Sequence, residues 1–217
     1  MIPLRDDNPT RTVPLITIAL VAINAGLFVW EMLLPGPRQA ALLARLSIVP
    51  AAIAHASPLD PPALLHQVAT LFTAMFLHGS LLHVAGNMLY LWIFGNNIED
   101  VMGHARFLAF YLICGLTGSL AQVAASPAST VPLLGASGAI AGVLGAYLVM
   151  FPAARVETLI FLFVFARVVP IPAVIVLGVW LLIQIVNAGR VAPGGVAWFA
   201  HLGGFGAGLA LLPLFRR

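Results

Sequence analysis

The sequence predicts an all-α polytopic membrane protein built as a bundle of six transmembrane helices. Three observations carry that prediction. Of the 217 residues, 61% are hydrophobic and only 8% charged, with a mean hydropathy of +1.05, a composition outside the range of soluble domains. A spanning helix needs about 20 mainly apolar residues, so the length allows about six spans with short loops and no sizeable soluble domain. Proline, glycine and charged turns then divide the apolar runs at suitable intervals. The chain reads as one membrane domain over residues 1–217, with residues 1–12 expected as a short cytoplasmic tail.

The elements follow in order. Residues 1–12 are polar, contain Asp6 and Asp7, and do not read as a signal peptide. The first span is 13–34: Pro14 suits a helix start, Pro35-Gly36-Pro37 ends it, and Glu31 sits in the last turn. In 38–54, Leu42, Leu43, Leu46 and Val49 share a helical face and the only charges are Arg38 and Arg45. This pattern fits a helix lying at the interface. Residues 57–62 form a proline-rich turn. The apolar run 64–102 is too long for one span, and Gly79-Ser80 interrupts it. A re-entrant approach is expected over 64–78 and the second span over 80–98, followed by a loop marked by Glu99, Asp100, His104 and Arg106. The third span is 106–124, 125–134 is a loop with two prolines, and the fourth span is 135–151, carrying Gly138, Gly142 and Gly145. Within 152–167 the stretch 158–165 is apolar but short, and is expected against the bundle. The fifth span is 169–186, 187–195 is a loop, and the sixth span is 196–215. Cys114 is the single cysteine. It excludes an intrachain disulfide and a thiol metal site, and reads as a buried, inert thiol.

The formal charge of +3 comes from arginine alone. No basic run exists beyond Arg216-Arg217, so the charge reads as an orientation signal and nucleic acid is not an expected partner. Six spans place both termini on one side. With the N-terminus cytoplasmic, Arg5, Arg11, Arg106, Arg155, Arg167, Arg216 and Arg217 are inside, and Arg38, Arg45 and Arg190 outside. Seven against three favours both termini in the cytoplasm, with the chain in the cell (inner) membrane.

That topology aligns three polar clusters. The second, fourth and sixth spans all run from outside to inside. His83 and Asn87 lie in the first turns of the second, Ser137 opens the fourth, and His201 lies near the start of the sixth. At 1.5 Å rise per residue these four sit within roughly 10 Å of one depth. Taken singly, a serine that bonds the carbonyl one turn back, a structural histidine or an asparagine joining two helices are the ordinary readings. Level in three spans, where polar groups are costly, they point to a shared site. His83 and Asn87 share a helix face, as do His201, Gly204 and Gly208, and Ser137, Ala141 and Gly145. Small residues on both latter spans allow the close approach that a serine and a histidine on different helices need. The set supplies a nucleophile, a base and donors for a developing oxyanion. Glu99 and Asp100 lie roughly 20 Å away along the second span, and Glu31 is at the right depth but on the first span. A Ser–His dyad is therefore favoured; Glu31 stays open as a third member and reads otherwise as interfacial or structural.

At this point the chain resembles the rhomboid intramembrane serine proteases over nearly its whole length. The family's H-x4-H-x3-N pattern is matched by His78, His83 and Asn87, its G-x-S-G motif by Gly135-Ala136-Ser137-Gly138, and its A-H-x-x-G-x-x-x-G motif by Ala200, His201, Gly204 and Gly208. The resemblance implies a six-helix rhomboid-like bundle whose segment 38–54 is a membrane-embedded first loop. It implies Ser137 as nucleophile and His201 as general base. His83, Asn87 and the Ser137 backbone N–H would form the oxyanion hole, with Gly135 in its loop and His78 at the mouth of the site. Glu99 and Gly103 would be structural. The expected substrates are single-span membrane proteins within the lipid bilayer, cut near its outer side. No cofactor or metal is expected. Two features depart from the family: Ala69-Thr70 stand where many members carry Trp-Arg, and Ala141 stands where some place an aromatic ring against the histidine. His201 must then be held by other packing.

Two other readings compete. An inactive relative that binds and escorts membrane proteins is expected to lose the serine or the histidine, and both are present. A metal or proton transporter would use His78, His83 and His201, but the chain shows neither intramembrane carboxylates for coupling nor an inverted repeat of broken helices.

Overall fold

The computed structural model describes residues 1–162, 165–188 and 196–216. Arg190 and Arg217, both counted above, and most of the 187–195 loop lie outside the described residues. The described residues form ten α-helices and three strands.

The first helix, α1 (Leu15–Leu33), buries Thr17, Leu20, Asn24, Phe28 and Glu31, one face at three- and four-residue spacing. Its other faces are apolar and exposed, as lipid contact requires. The helix start is held from a distant segment. Glu99 accepts from the backbone N–H groups of Ile16 and Thr17, both at 2.8 Å. This carboxylate satisfies donors that no intrahelical carbonyl can reach and lies at the positive end of the helix. The segment expected at the interface is two helices, α2 (Gly36–Leu46) and α3 (Pro50–Ala54). α2 buries no residue.

α4 (Pro61–Thr73) is capped by Asp60, whose side chain accepts from Ala63 N–H at 3.2 Å. It ends in a tight turn, Ala74–Phe76. The chain then bends by 79° into a helical stretch covering Leu81–Met102. That stretch comprises α5 (Leu81–Tyr90), one wide turn at Leu91–Gly95, and α6 (Asn96–Met102). Ser80 caps α5 by accepting from His83 N–H at 3.2 Å. Gly103, at φ 79°, stops α6 in a conformation only glycine adopts readily. The interruption at Gly79-Ser80 is thus the place where the chain turns, though the approach over 64–78 is mostly helical.

α7 (His104–Ala125), α8 (Ser137–Met150) and α10 (Trp198–Phe215) form the packed centre. Their small residues are in backbone contact. A Cβ on Gly204 would stand 1.9 Å from the Gly138 carbonyl oxygen, and one on Gly208 2.1 Å from that of Gly142. Cys114 is fully buried on α7. α9 (Ala173–Asn187) lies outside this trio.

The helices do not account for the whole chain. β1 (Ile2–Asp6), β2 (Arg155–Leu162) and β3 (Phe165–Pro172) make an antiparallel sheet in the order β1-β2-β3. This corrects the all-α expectation, although the protein remains mostly helical. Residues 2–6 belong to the sheet and are not a free tail. The fifth helix starts at Ala173 and not at 169. Pro170 and Pro172 explain that start: neither can donate inside a helix, while the end of an edge strand tolerates both. Tyr147 of α8 donates its hydroxyl proton to Asp6, and burial pushes the Asp6 carboxyl above its ordinary value.

Three helices, α1, α7 and α10, are long and apolar enough to cross a membrane, and the bent α4–α6 pair passes as a fourth. α8 and α9 are apolar but shorter. At 1.5 Å per residue, fourteen residues of α8 reach roughly 21 Å, less than the ~30 Å hydrocarbon core.

Candidate active site

Two loops meet over the start of α8. Ile48 and Leu133 exchange backbone hydrogen bonds of 3.0 and 2.7 Å, and Ala51 N–H donates to Ser129 at 2.9 Å. Gly135 N–H donates to the Ala74 carbonyl at 2.8 Å. Gly135 has φ +121°, and a Cβ there would lie 2.7 Å from the His83 ring. Glycine is therefore required twice over, by conformation and by space. This turn delivers Ser137 as the first residue of α8, where its backbone N–H has no intrahelical acceptor.

Ser137 and His201 meet directly. His201 Nε2 lies 2.8 Å from Ser137 Oγ, a hydrogen bond between α8 and α10. The Gly204–Gly138 contact, one turn along, sets that separation. Around them opens a cleft of about 230 Å³ lined by His83, Asn87, Tyr90, Ser137, Trp180 and His201, among others. A second, smaller cavity of about 30 Å³ touches Ser137 from the other side, between Met75, Gly115, Leu133 and Ala200. It has room for roughly two waters.

The α5 wall carries the remaining expected residues. Asn87 Nδ2 lies 2.9 Å from His78 Nε2. The amide has two hydrogens, so one remains to donate into the cleft. The His83 ring stands edge-on to His78, with centroids 5.0 Å apart. His78 is not at the mouth of the site, where it was expected: it is 2% exposed, because the tight turn at Ala74–Phe76 directs the chain inward. Glu31 is fully buried on α1, and neither carboxylate oxygen has a hydrogen-bond partner of normal geometry among the described residues. It does not join the Ser137–His201 pair.

Three residues that sequence reasoning missed complete the surroundings of His201. Its Nδ1 lies 2.7 Å from Gln184 Oε1. The Trp180 ring lies against it at 5.9 Å, and Trp198 approaches edge-on at 6.3 Å. Trp180 supplies the aromatic contact that Ala141 cannot. A weak signal for Gln184 was present: an amide between Ile183 and Ile185 is costly against lipid, though so near a helix end it also suits the interface.

The fold and the site together define a polytopic membrane protein with a serine–histidine pair at one end of its bundle. Comparison with known proteins agrees. The Rhomboid domain family model matches residues 65–217. Rhomboid protease GluP of Bacillus subtilis is 47% identical over 78 residues, covering 36% of this chain and 15% of the relative. The mitochondrial Rhomboid protein 1 of Saccharomyces cerevisiae is 36% identical over 138 residues, covering 59% and 36%. The mouse presenilin-associated rhomboid-like protein, mitochondrial, is 40% identical over 92 residues, covering 42% and 24%. The matched region thus spans at most about a third of these relatives' own lengths. The chain belongs to the rhomboid family.

Proposed function

We propose that this protein is an intramembrane serine endopeptidase with a Ser137–His201 dyad, set in a six-span bundle with both termini cytoplasmic. The observation that carries the reading is the 2.8 Å bond between His201 Nε2 and Ser137 Oγ at the wall of an open cleft. In the reaction, Oγ attacks a peptide carbonyl as its proton passes to Nε2, and the C–N bond then breaks as that proton passes to the leaving amine. The resulting acyl-enzyme is released by water. Negative charge on the carbonyl oxygen is met by the Ser137 backbone N–H, by the free Asn87 hydrogen and by His83.

A helix hides its carbonyls in its own hydrogen bonds. The substrates are therefore membrane segments whose helix is weakened near the outer surface, and the resemblance suggests single-span proteins cut beside a small side chain. Orientation is supported by the arginine bias, and the ion pair of Arg5 with Glu157 at 2.8 Å keeps β1 and β2 on one side.

The test is labelling of purified protein in detergent by a serine-directed fluorophosphonate. Label is expected at Ser137, absent in Ser137→Ala, much reduced in His201→Ala and unaffected by chelator. A folded wild-type sample that neither labels nor cleaves a model membrane substrate would move the reading to an inactive escort protein. Activity lost with chelator and restored by zinc would move it to a metal site on the histidines.

A further inference from the structure

Gln184 is the one polar side chain on the buried face of α9, whose other buried members are Ala173, Val176 and Leu177. Its amide has a single arrangement that satisfies both ends. The Trp180 carbonyl, one turn back, can only accept, so it takes Nε2–H, at 3.0 Å. Oε1 is then turned to His201 Nδ1, at 2.7 Å. An amide oxygen also only accepts, so the proton of a neutral His201 is on Nδ1. That leaves Nε2 with a free lone pair, facing Ser137 Oγ. Trp180, on the same helix, lies against the imidazole face.

We infer that Gln184 is the positioning residue of the pair, fixing the tautomer and ring plane of His201 so that Nε2 is the base. Without it, either ring nitrogen can carry the proton, and the Nε2–H form cannot accept from Ser137. When His201 takes the serine proton, the Nδ1–H to Oε1 bond becomes charge-assisted and shorter. A neutral amide gives that support without placing an unpaired carboxylate in apolar surroundings. The kinetic consequence rests on the protease reading; the tautomer does not.

The experiment therefore measures both, on the full chain in detergent. Imidazole 15N spectra of histidine-labelled protein report the His201 tautomer, and steady-state cleavage of a model membrane substrate reports kcat and KM. Wild type is expected to show Nδ1–H. Gln184→Met, similar in shape but unable to accept, is expected to show mixed tautomers, with kcat down by at least about tenfold and KM within about twofold. Gln184→Glu keeps an acceptor on Nδ1. It is expected to restore the Nδ1–H form and much of kcat, and to move the acid limb of the pH–kcat profile upward, because a nearby negative charge favours the imidazolium. Wild type in the Nε2–H form overturns the inference. So does Gln184→Met with wild-type kcat, or Met and Glu variants equally slow at equal thermal stability. If Gln184→Met fails to fold, the wild-type tautomer and the Gln184→Glu profile still decide. A wild type that neither labels nor cleaves removes the protease reading, and its tautomer still tests Gln184.

Discussion

Ser137 and His201 are held apart by backbone resting on backbone, whereas Asn87, His78 and His83 on the facing wall are held by side chains. On the α8–α10 wall, Gly204 and Gly208 leave no room for even a methyl group. Changing the helix separation there means moving backbone, and within it the Gln184 and Trp180 side chains orient the His201 ring. On the α5 wall the determining contacts are the Asn87–His78 bond and the ring packing of His78 on His83. Those can change with one rotamer. The difference teaches where precision resides: proton transfer depends on the rigid wall, and charge stabilisation on the adjustable one.

The largest expected effect comes from the adjustable wall. Asn87→Ala removes one oxyanion donor, and turnover should fall by about 100- to 1000-fold, or about 2.7–4 kcal/mol, with KM nearly unchanged and a lesser loss of stability as buried His78 loses its partner. Turnover within twofold of wild type would instead make Asn87 a purely interhelical residue. The rigid wall should respond in the opposite style. Gly204→Ala drives a methyl into the Gly138 carbonyl, so stability should drop by about 1–3 kcal/mol or more, and activity should fall with it. A Gly204→Ala protein with normal melting and normal cleavage would show that the two helices are free to separate. The smallest effect belongs to neither wall. Arg5 and Glu157 pair at 2.8 Å while largely exposed. Arg5→Ala should leave the melting temperature unchanged within error, and a clear drop would mean that the sheet, as well as the glycine contacts, sets the stability of the bundle.

Much of the site was legible because polar residues in apolar runs are conspicuous. Ser137, His83, Asn87 and His201 announce themselves by cost, and the glycines at 204 and 208 by their spacing from His201. Gln184 was less visible because a single glutamine near a helix end also suits an interface. Only its 2.7 Å contact distinguishes the two cases. The sheet was less visible still. β1 is five residues long, and nothing local makes it a strand. Its partner lies about 150 residues along the chain, and the exposed residues of β3 mimic the start of a span. His78 was expected at the mouth of the site through the resemblance alone, and nothing local in the sequence marks the tight turn at Ala74–Phe76 that buries it.

Pairing of β1 with β2 joins Ile2 to Leu159, segments separated in synthesis by α1 to α8. A strand that must find a partner so late closes a very long loop, which is slow. The pairing also carries a parity condition. Two segments can hydrogen-bond only from the same side of a bilayer, so the chain between them must cross it an even number of times. In the six-span arrangement proposed above, α1, the Leu81–Met102 stretch, α7 and α8 would make four crossings. If one of these helices failed to insert, β2 would be stranded on the far side, Asp6 would lose Tyr147, and β1 would remain an open edge. The sheet thus acts as a checksum on membrane insertion, readable only after most of the bundle is in place.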